Sequence, residues 1–359
     1  MINAGIVGAN GFTGQELLRI LSHHPAVDSL HIVSRALDED KTRPNFQSFK
    51  EVKNLNFVTL ENLASTPCDI VFFATPHGVA MEHADRLINN GLKVIDLSAD
   101  FRIEDPGIFE KWYNITHKNK DLLSDAVYGL PEINREKIKI SKLIAMPGCY
   151  PTAVILGLYP LLKNGIIKKH NIIADCKSGV SGAGKNPKDE NMFSEISENF
   201  RPYGLDGHRH WPEIYQELCS IISNQSPRQK KIENLGFIFS PNLVPMFRGI
   251  LATIYCYIED SCLEKNIYDV FNTEYSQEPF VDILPSGSCL DTASVKGSNR
   301  LKIALRRPKT STSRHDNSLI VYVAEDNLMK GASGQAVQVM NIILNIDEKT
   351  GLNFLPFSR

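Results

Sequence analysis

Short apolar runs alternating with helical stretches fill the first 150 residues. Ala4 to Val7 reads as a strand, Thr13 to Ser22 as a helix and Leu30 to Val33 as a second strand. Asp69 to Ala74 (DIVFFA) is apolar almost throughout, as expected of a strand covered on both faces. Val79 to Asn89 is the next helix, ended by Gly91. Lys93 to Leu97 is a strand, and Leu143 to Met146 is the last strand of this unit. This order predicts a Rossmann-type α/β domain with a parallel sheet.

Beyond Tyr150 the pattern changes. An apolar segment, Ala153 to Leu162, follows the Pro147-Gly148 turn. Longer strands are then expected at Asn171 to Cys176, Leu235 to Ser240, Gly249 to Glu259, Leu301 to Arg306 and Leu319 to Ala324. Helices are fewer, Pro212 to Ser220 and Leu263 to Tyr275, so an α+β domain with a mixed or antiparallel sheet is expected. The last helix, Ala332 to Leu344, carries Val337, Met340, Ile343 and Leu344 on one face, and the first domain is the surface expected to receive it. A chain of 359 residues exceeds one ordinary core, so two domains are expected. Their expected extents are 1–148 with about 326–359, and 149–325.

Composition narrows the function classes. A net charge of -2 offers nothing to nucleic acid or an anionic membrane surface. No stretch approaches the ~20 apolar residues of a membrane-spanning helix. No basic n-region or cleavage site precedes the first strand. The seven cysteines are irregularly spaced, without C-x-x-C, which argues against a disulfide scaffold or thiolate zinc site. A cytoplasmic location is the expectation, with no metal.

Gly8, Gly11 and Gly14 form G-x-x-G-x-x-G at the first strand–helix junction. Such a loop turns tightly, lets backbone approach a pyrophosphate, and offers it a helix N-terminus. The expected cofactor contacts are Gly8, Asn10, Gly11, Phe12, Thr13 and Gly14. The second strand ends in Ser34 and Arg35 instead of the acid that would hold a ribose 2′-hydroxyl, which favours a 2′-phosphate and hence NADP(H). The loops after the next strands should line the same cleft through Thr75, Pro76 and Ser98. His77 is expected to be a loop histidine.

Cys149 sits at a helix start, where free amides and the helix dipole stabilise a thiolate. Its proton partner is sought in Gly207-His208-Arg209-His210-Trp211-Pro212-Glu213. His210 is favoured and His208 kept as the alternate, with Glu213 as an orienting acid. A second glycine-rich loop, Ser178 to Lys185, brings Ser178, Gly179 and Gly182 as backbone contacts for the cofactor and Ser181 for substrate. Arg248 precedes a strand where an anionic substrate would be held.

GIVGANGFTGQEL, PGCYPT, SGVSGAGK, GHRHWPEI, VPMFRGI and DNLMKGASGQAVQ, in this order, resemble the N-acetyl-gamma-glutamyl-phosphate reductase family, arginine-biosynthesis relatives of aspartate-semialdehyde dehydrogenase. The resemblance runs from Gly5 to the last helix. It implies reduction of an acyl phosphate by NADPH to N-acetylglutamate 5-semialdehyde through a thioester on Cys149, with His210 and His208 in acid–base work. It also implies Asn327 on the nicotinamide side, a first domain completed by the C-terminal helix, and a homo-oligomer, dimer or tetramer. The alternatives are aspartate-semialdehyde dehydrogenase, a lysine-pathway aminoadipyl-phosphate reductase with the same chemistry, or a non-catalytic NADP-binding sensor.

Overall fold

A computed structural model describes residues 1–34, 49, 54–223, 235–308 and 317–357. The chain divides into two compact units. The first takes in Met1–Pro147 and Ala332–Asn353, the second Gly148–Gly331 and Phe354–Arg359.

Among the described residues of the first unit, seven strands form one parallel sheet: β1 (Ile2–Val7), β2 (Val27–Ser34), β3 (Leu55–Thr59), β4 (Ile70–Phe73), β5 (Lys93–Asp96), β6 (Val127–Tyr128) and β7 (Leu143–Ala145). Their spatial order is β3-β2-β1-β4-β5-β7-β6. The strand order reverses direction between β1 and β4, which opens a crevice at their carboxyl ends. β4 is buried at every position, in keeping with its continuous apolar run.

Helix α1 (Phe12–Leu21) follows β1, and α2 (Val79–Asn89) follows β4. Two further helices, α3 (Pro106–Tyr113) and α4 (Pro131–Ile140), each begin with proline, whose missing N–H costs nothing in a first turn. The Asp105 carboxylate caps α3 by accepting from the Gly107 and Ile108 amides. The returning segment carries the last helix, which packs on α1 and α4. Ser333 donates its hydroxyl proton to the Thr13 carbonyl at 2.9 Å, and the His24 ring meets Asn341 Oδ1 at 3.0 Å.

In the second unit, α5 (Cys149–Lys163) is buried along nearly its whole length. It lies on one face of a mixed sheet built from β8 (Ile172–Ser178), β9 (Arg201–Pro202), β10 (Phe237–Leu243), β11 (Ile250–Tyr257), β12 (Val281–Ile283), β13 (Leu301–Arg306) and β14 (Ser318–Glu325). The order is β12-β13-β14-β11-β8-β10-β9, with β8–β10 and β12–β13 parallel and the other neighbours antiparallel. Gly157 lets α5 come close: a Cβ there would lie 2.8 Å from both Ile254 and Val323. Helices α6 (His210–Ser223) and α7 (Ile267–Tyr275) also belong to this unit. A π-helical turn, Met329–Ser333, leads into α8 (Gly334–Ile343).

Helix α7 starts four residues later than the apolar pattern suggests. A 3-10 turn occupies Asp260–Cys262, and the Asn266 side chain then caps the helix by accepting from the Tyr268 amide. The helix expected from Ala332 begins at Gly334, because the preceding turn is π-helical. Among the described residues, no helix is long and apolar enough to cross a membrane.

Candidate active site

The glycine loop separates into two jobs. Gly8 has φ +89°, and a Cβ there would lie 2.3 Å from the Ala74 carbonyl oxygen. Gly14 is forced by packing too, since its Cβ would lie 2.3 Å from the Gly8 oxygen. Gly11 has neither constraint: the nearest atom to its Cβ position is 3.7 Å away. It stands at the N-cap of α1 with no side-chain cap. That leaves the helix start open to a bound anion in place of a capping side chain.

A cleft of about 530 Å³ opens beside this loop, lined among others by Gly8, Asn10, Thr75, Pro76, Glu82 and His83. Among the described residues, Thr75 Oγ1 is a buried hydroxyl with no hydrogen-bond partner, and a polar ligand in the cleft would satisfy it. The strand-end position, the open helix start and this hydroxyl fit a dinucleotide. Phe12 and Thr13 form the first turn of α1. Ser98 is buried, and its hydroxyl accepts from the Asp100 amide at 3.2 Å. Beside it, the Asp96 carboxyl is pushed up to about 7 by burial and by Asp100. His77 Nδ1 accepts from the Ala99 amide at 3.1 Å, a structural use for a loop histidine. Arg35 lies outside the described residues, as does the side chain of Ser34.

In the second unit Gly148 is the N-cap of α5 and Cys149 its first residue. The Gly148 amide donates to Glu213 Oε1 at 2.8 Å, and Glu213 is fully buried in the first turn of α6. This bond ties the starts of the two helices together. The His210 ring lies directly over Gly148, its Nε2 only 2.5 Å from where a Cβ would be. The imidazole thus stands over the residue that immediately precedes the cysteine.

His208 is placed differently. Its Nδ1 accepts from the His210 backbone amide at 3.0 Å. Tyr150, Tyr203, His210 and Phe239 surround its ring, with centroids 4.8–5.9 Å away. Burial in this aromatic setting pushes its pKa down to about 4, so the ring is neutral at physiological pH. Tyr203 donates to the Tyr150 hydroxyl at 3.0 Å, and Tyr150 to the Asn242 carbonyl at 3.3 Å.

Three of the other cysteines hold their protons tightly. Burial raises the thiol of Cys68 to about 11 and that of Cys256 to about 12, and pushes Cys176 higher still. Cys149 is partly exposed at its helix start.

The loop after β8 is pinned to the segment before β11. Val180 and Ser181 donate their amides to the Met246 and Phe247 carbonyls at 2.9 and 3.0 Å. A Cβ on Gly179 would lie 2.6 Å from the Phe247 oxygen. Gly182 belongs to the 3-10 turn that follows, and Ser178 donates its hydroxyl to the Gly179 carbonyl. Asn327 fastens both segments, accepting from the Gly249 amide at 2.8 Å and donating to Ser181 Oγ at 2.9 Å. Its amide therefore organises the loops. Arg248 Nη1 lies 3.5 Å from the buried carboxylate of Asp326, whose oxygens also accept from the amides of Gly297 and Leu328.

Sequence reasoning missed three residues here. Gly331 approaches Cys149 so closely that a Cβ would lie 2.8 Å from the cysteine Cβ and 2.9 Å from Glu325 Oε1. Glu325 is fully buried, and Asp326 fixes Arg248. All three lie in or beside the DNLMKGA motif, but nothing in spacing alone connects them to a cysteine far earlier in the chain.

Residues 3–141 match the semialdehyde dehydrogenase NAD binding domain, and residues 149–327 the semialdehyde dehydrogenase dimerisation domain. Among solved structures, aspartate semialdehyde dehydrogenase II from Vibrio cholerae is similar with a TM-score of 0.69 and 17% identity, over 96% of this chain and 98% of that one. The enzyme from Candida albicans, solved with NADP, gives a TM-score of 0.66 and 16% identity over 96% and 98% of the two chains. These likenesses establish the shared fold. Two curated relatives are much nearer in sequence, both named N-acetyl-gamma-glutamyl-phosphate reductase. That of Janthinobacterium sp. (strain Marseille) is 46% identical over 99% of both chains. That of Acinetobacter baylyi is 47% identical over 98% of both. With identity of this level running through both domains, the chain belongs to the N-acetyl-gamma-glutamyl-phosphate reductase family.

Proposed function

We propose that this protein reduces N-acetyl-gamma-glutamyl phosphate to N-acetylglutamate 5-semialdehyde, with Cys149 as nucleophile. The observation that carries the reading is the seating of the His210 ring over Gly148, immediately before a cysteine at a helix start. His210 takes the thiol proton, the sulfur bonds to the acyl carbon as the carbon–phosphate oxygen bond breaks, and the imidazolium so formed gives that proton to the departing phosphate. Bound NADPH supplies the hydride that takes the thioester to the aldehyde level. When the carbon–sulfur bond breaks, the sulfur leaves as thiolate, and the start of α5 stabilises that charge.

Glu213 holds the Gly148 amide and so fixes nucleophile against base. His208, neutral and boxed, positions His210 through its backbone. Arg248, steadied by Asp326, is the contact for the substrate's anionic end, and Ser181 lies beside it on the pinned loop. The loop from Gly8 to Gly14 with Thr75 and Pro76 holds the dinucleotide, and Ser34 and Arg35 are assigned to its 2′-phosphate. Asn327 works by holding the loops. The first unit is thus the cofactor domain and the second the catalytic one.

Turnover of purified protein with NADP, phosphate and N-acetylglutamate 5-semialdehyde tests the substrate, with aminoadipate and aspartate semialdehydes as comparators. Cys149→Ser should lose turnover yet keep NADP binding by fluorescence. Failure with the N-acetylglutamate compound, or a serine variant that still turns over, defeats the reading.

We assign a homo-oligomer to the uncovered face of the second sheet. Ile238, Ile173 and Tyr255 are register neighbours across β10, β8 and β11, opposite to the face that carries α5, and all three are exposed. A second copy of this chain suits such a row, in a cytoplasmic enzyme. Ile238→Lys should shift sedimentation toward the monomer; an unchanged coefficient would remove this face from the interface.

A further inference from the structure

Glu325 ends β14 with its side chain wholly shielded from solvent. Its Oε1 and the Cβ of Cys149 lie 2.9 and 2.8 Å from a single point, the place a Gly331 Cβ would occupy. The carboxyl oxygen and the cysteine Cβ therefore flank one point that has no room for a methyl group. Gly331 has an ordinary φ, so it is lack of room that excludes a side chain there. Two neighbouring acids, one of them fully buried, do not both carry negative charge without a penalty.

Resting on the reading of Cys149 as nucleophile, we propose that Glu325 is a positioning residue whose carboxyl titrates with the Cys149 thiol as one coupled pair. Ionising one member raises the pKa of the other, so the macroscopic steps belong to the pair. The thiolate is then formed most readily while the carboxyl keeps its proton. Acylation of Cys149 removes the thiolate charge and with it the bar to ionising Glu325.

Other ionisable groups face this pair. His210 and Glu213 approach from α6, Tyr150 follows the cysteine on α5 with Tyr203 bonded to it, and Cys176 comes from β8. Asp326 is engaged by Arg248, and Lys330 is buried next to Gly331. Each is present whether or not residue 325 is acidic, so a change at Glu325 alone isolates the coupling.

The test is iodoacetamide alkylation of Cys149, in which sulfur displaces iodide, followed by mass spectrometry of its peptide from about pH 5 to about pH 10. The wild-type rate should rise in two steps, whereas Glu325→Gln should lose one of them, with rates near neutrality differing about fivefold or more. Glu325→Asp draws the acid back by one methylene and should bring the two steps together; it also serves if the glutamine variant does not fold. Superimposable profiles in wild type and variant would overturn the proposal. A Cys149→Ser protein that still reduces substrate would defeat the nucleophile reading instead, whatever the alkylation profiles show.

Discussion

Gly148→Ala isolates the geometry of the histidine from everything else. Gly148 has φ -66° and ψ 158°, which alanine adopts without strain. The three atoms nearest the added methyl all belong to the imidazole, at 2.5 Å for Nε2, 2.8 Å for Cδ2 and 2.9 Å for Cε1. Ordinary contact begins near 3.4 Å, so the ring must retreat by about 0.9 Å. A displacement of about 1 Å in a reacting group can cost on the order of a hundredfold in rate, equivalent to about 2.7 kcal/mol of transition-state stabilisation. The backbone bond from residue 148 to Glu213 survives, so stability should change by less than about 1 kcal/mol. The assay is kcat/KM for NADP-dependent, phosphate-dependent oxidation of the semialdehyde, with a urea melt alongside. Activity within about threefold of wild type in a folded variant would refute the argument that His210 acts from this position.

Acid stability should report on His208. The folded state keeps this ring neutral down to about pH 4 while the unfolded chain protonates near 6.5, so its contribution is present above the higher value and is lost as pH falls between the two. His208→Asn, which keeps an acceptor for the His210 amide, should show a shallower fall in urea midpoint across that window; parallel curves would count against it. Asn327→Ala strands the Gly249 amide and frees Ser181, which should cost about 1–3 kcal/mol and raise the KM for substrate. An unchanged melting midpoint with unchanged KM would show that the loops are held by other means.

The parts of this protein readable from sequence were those whose partners are near in the chain. The Gly8 to Gly14 loop announces itself because strand, turn and helix are contiguous, and the start of α5 because proline and glycine mark it within a few residues. Helices α3 and α4 carried comparable signals, a proline at the first position and, for α3, the Asp105 cap, yet short amphipathic stretches do not stand out from polar surroundings. Spacing could not show which of the two histidine rings, 208 or 210, the aromatic residues enclose. Tyr203 and Phe239 come from two different strand regions. Spacing likewise could not show that Asn327 joins two loops, since the bond partners lie at residues 181 and 249.

The bond between the Gly148 amide and Glu213 has a consequence for the order of events during synthesis. Its partners are 65 residues apart, and Gly331 reaches the same cysteine from much further along. A nascent chain that has emerged only through β8 has its α5 segment but neither histidine nor carboxylate beside the thiol. Long-range contacts of this kind form late, because loop closure must precede them. On the ribosome, and again during refolding, the cysteine therefore lacks these neighbours until α6 and the DNLMKGA turn arrive, so the return of activity should lag the return of helix signal. On the proposed reading, the cysteine gains its partners last.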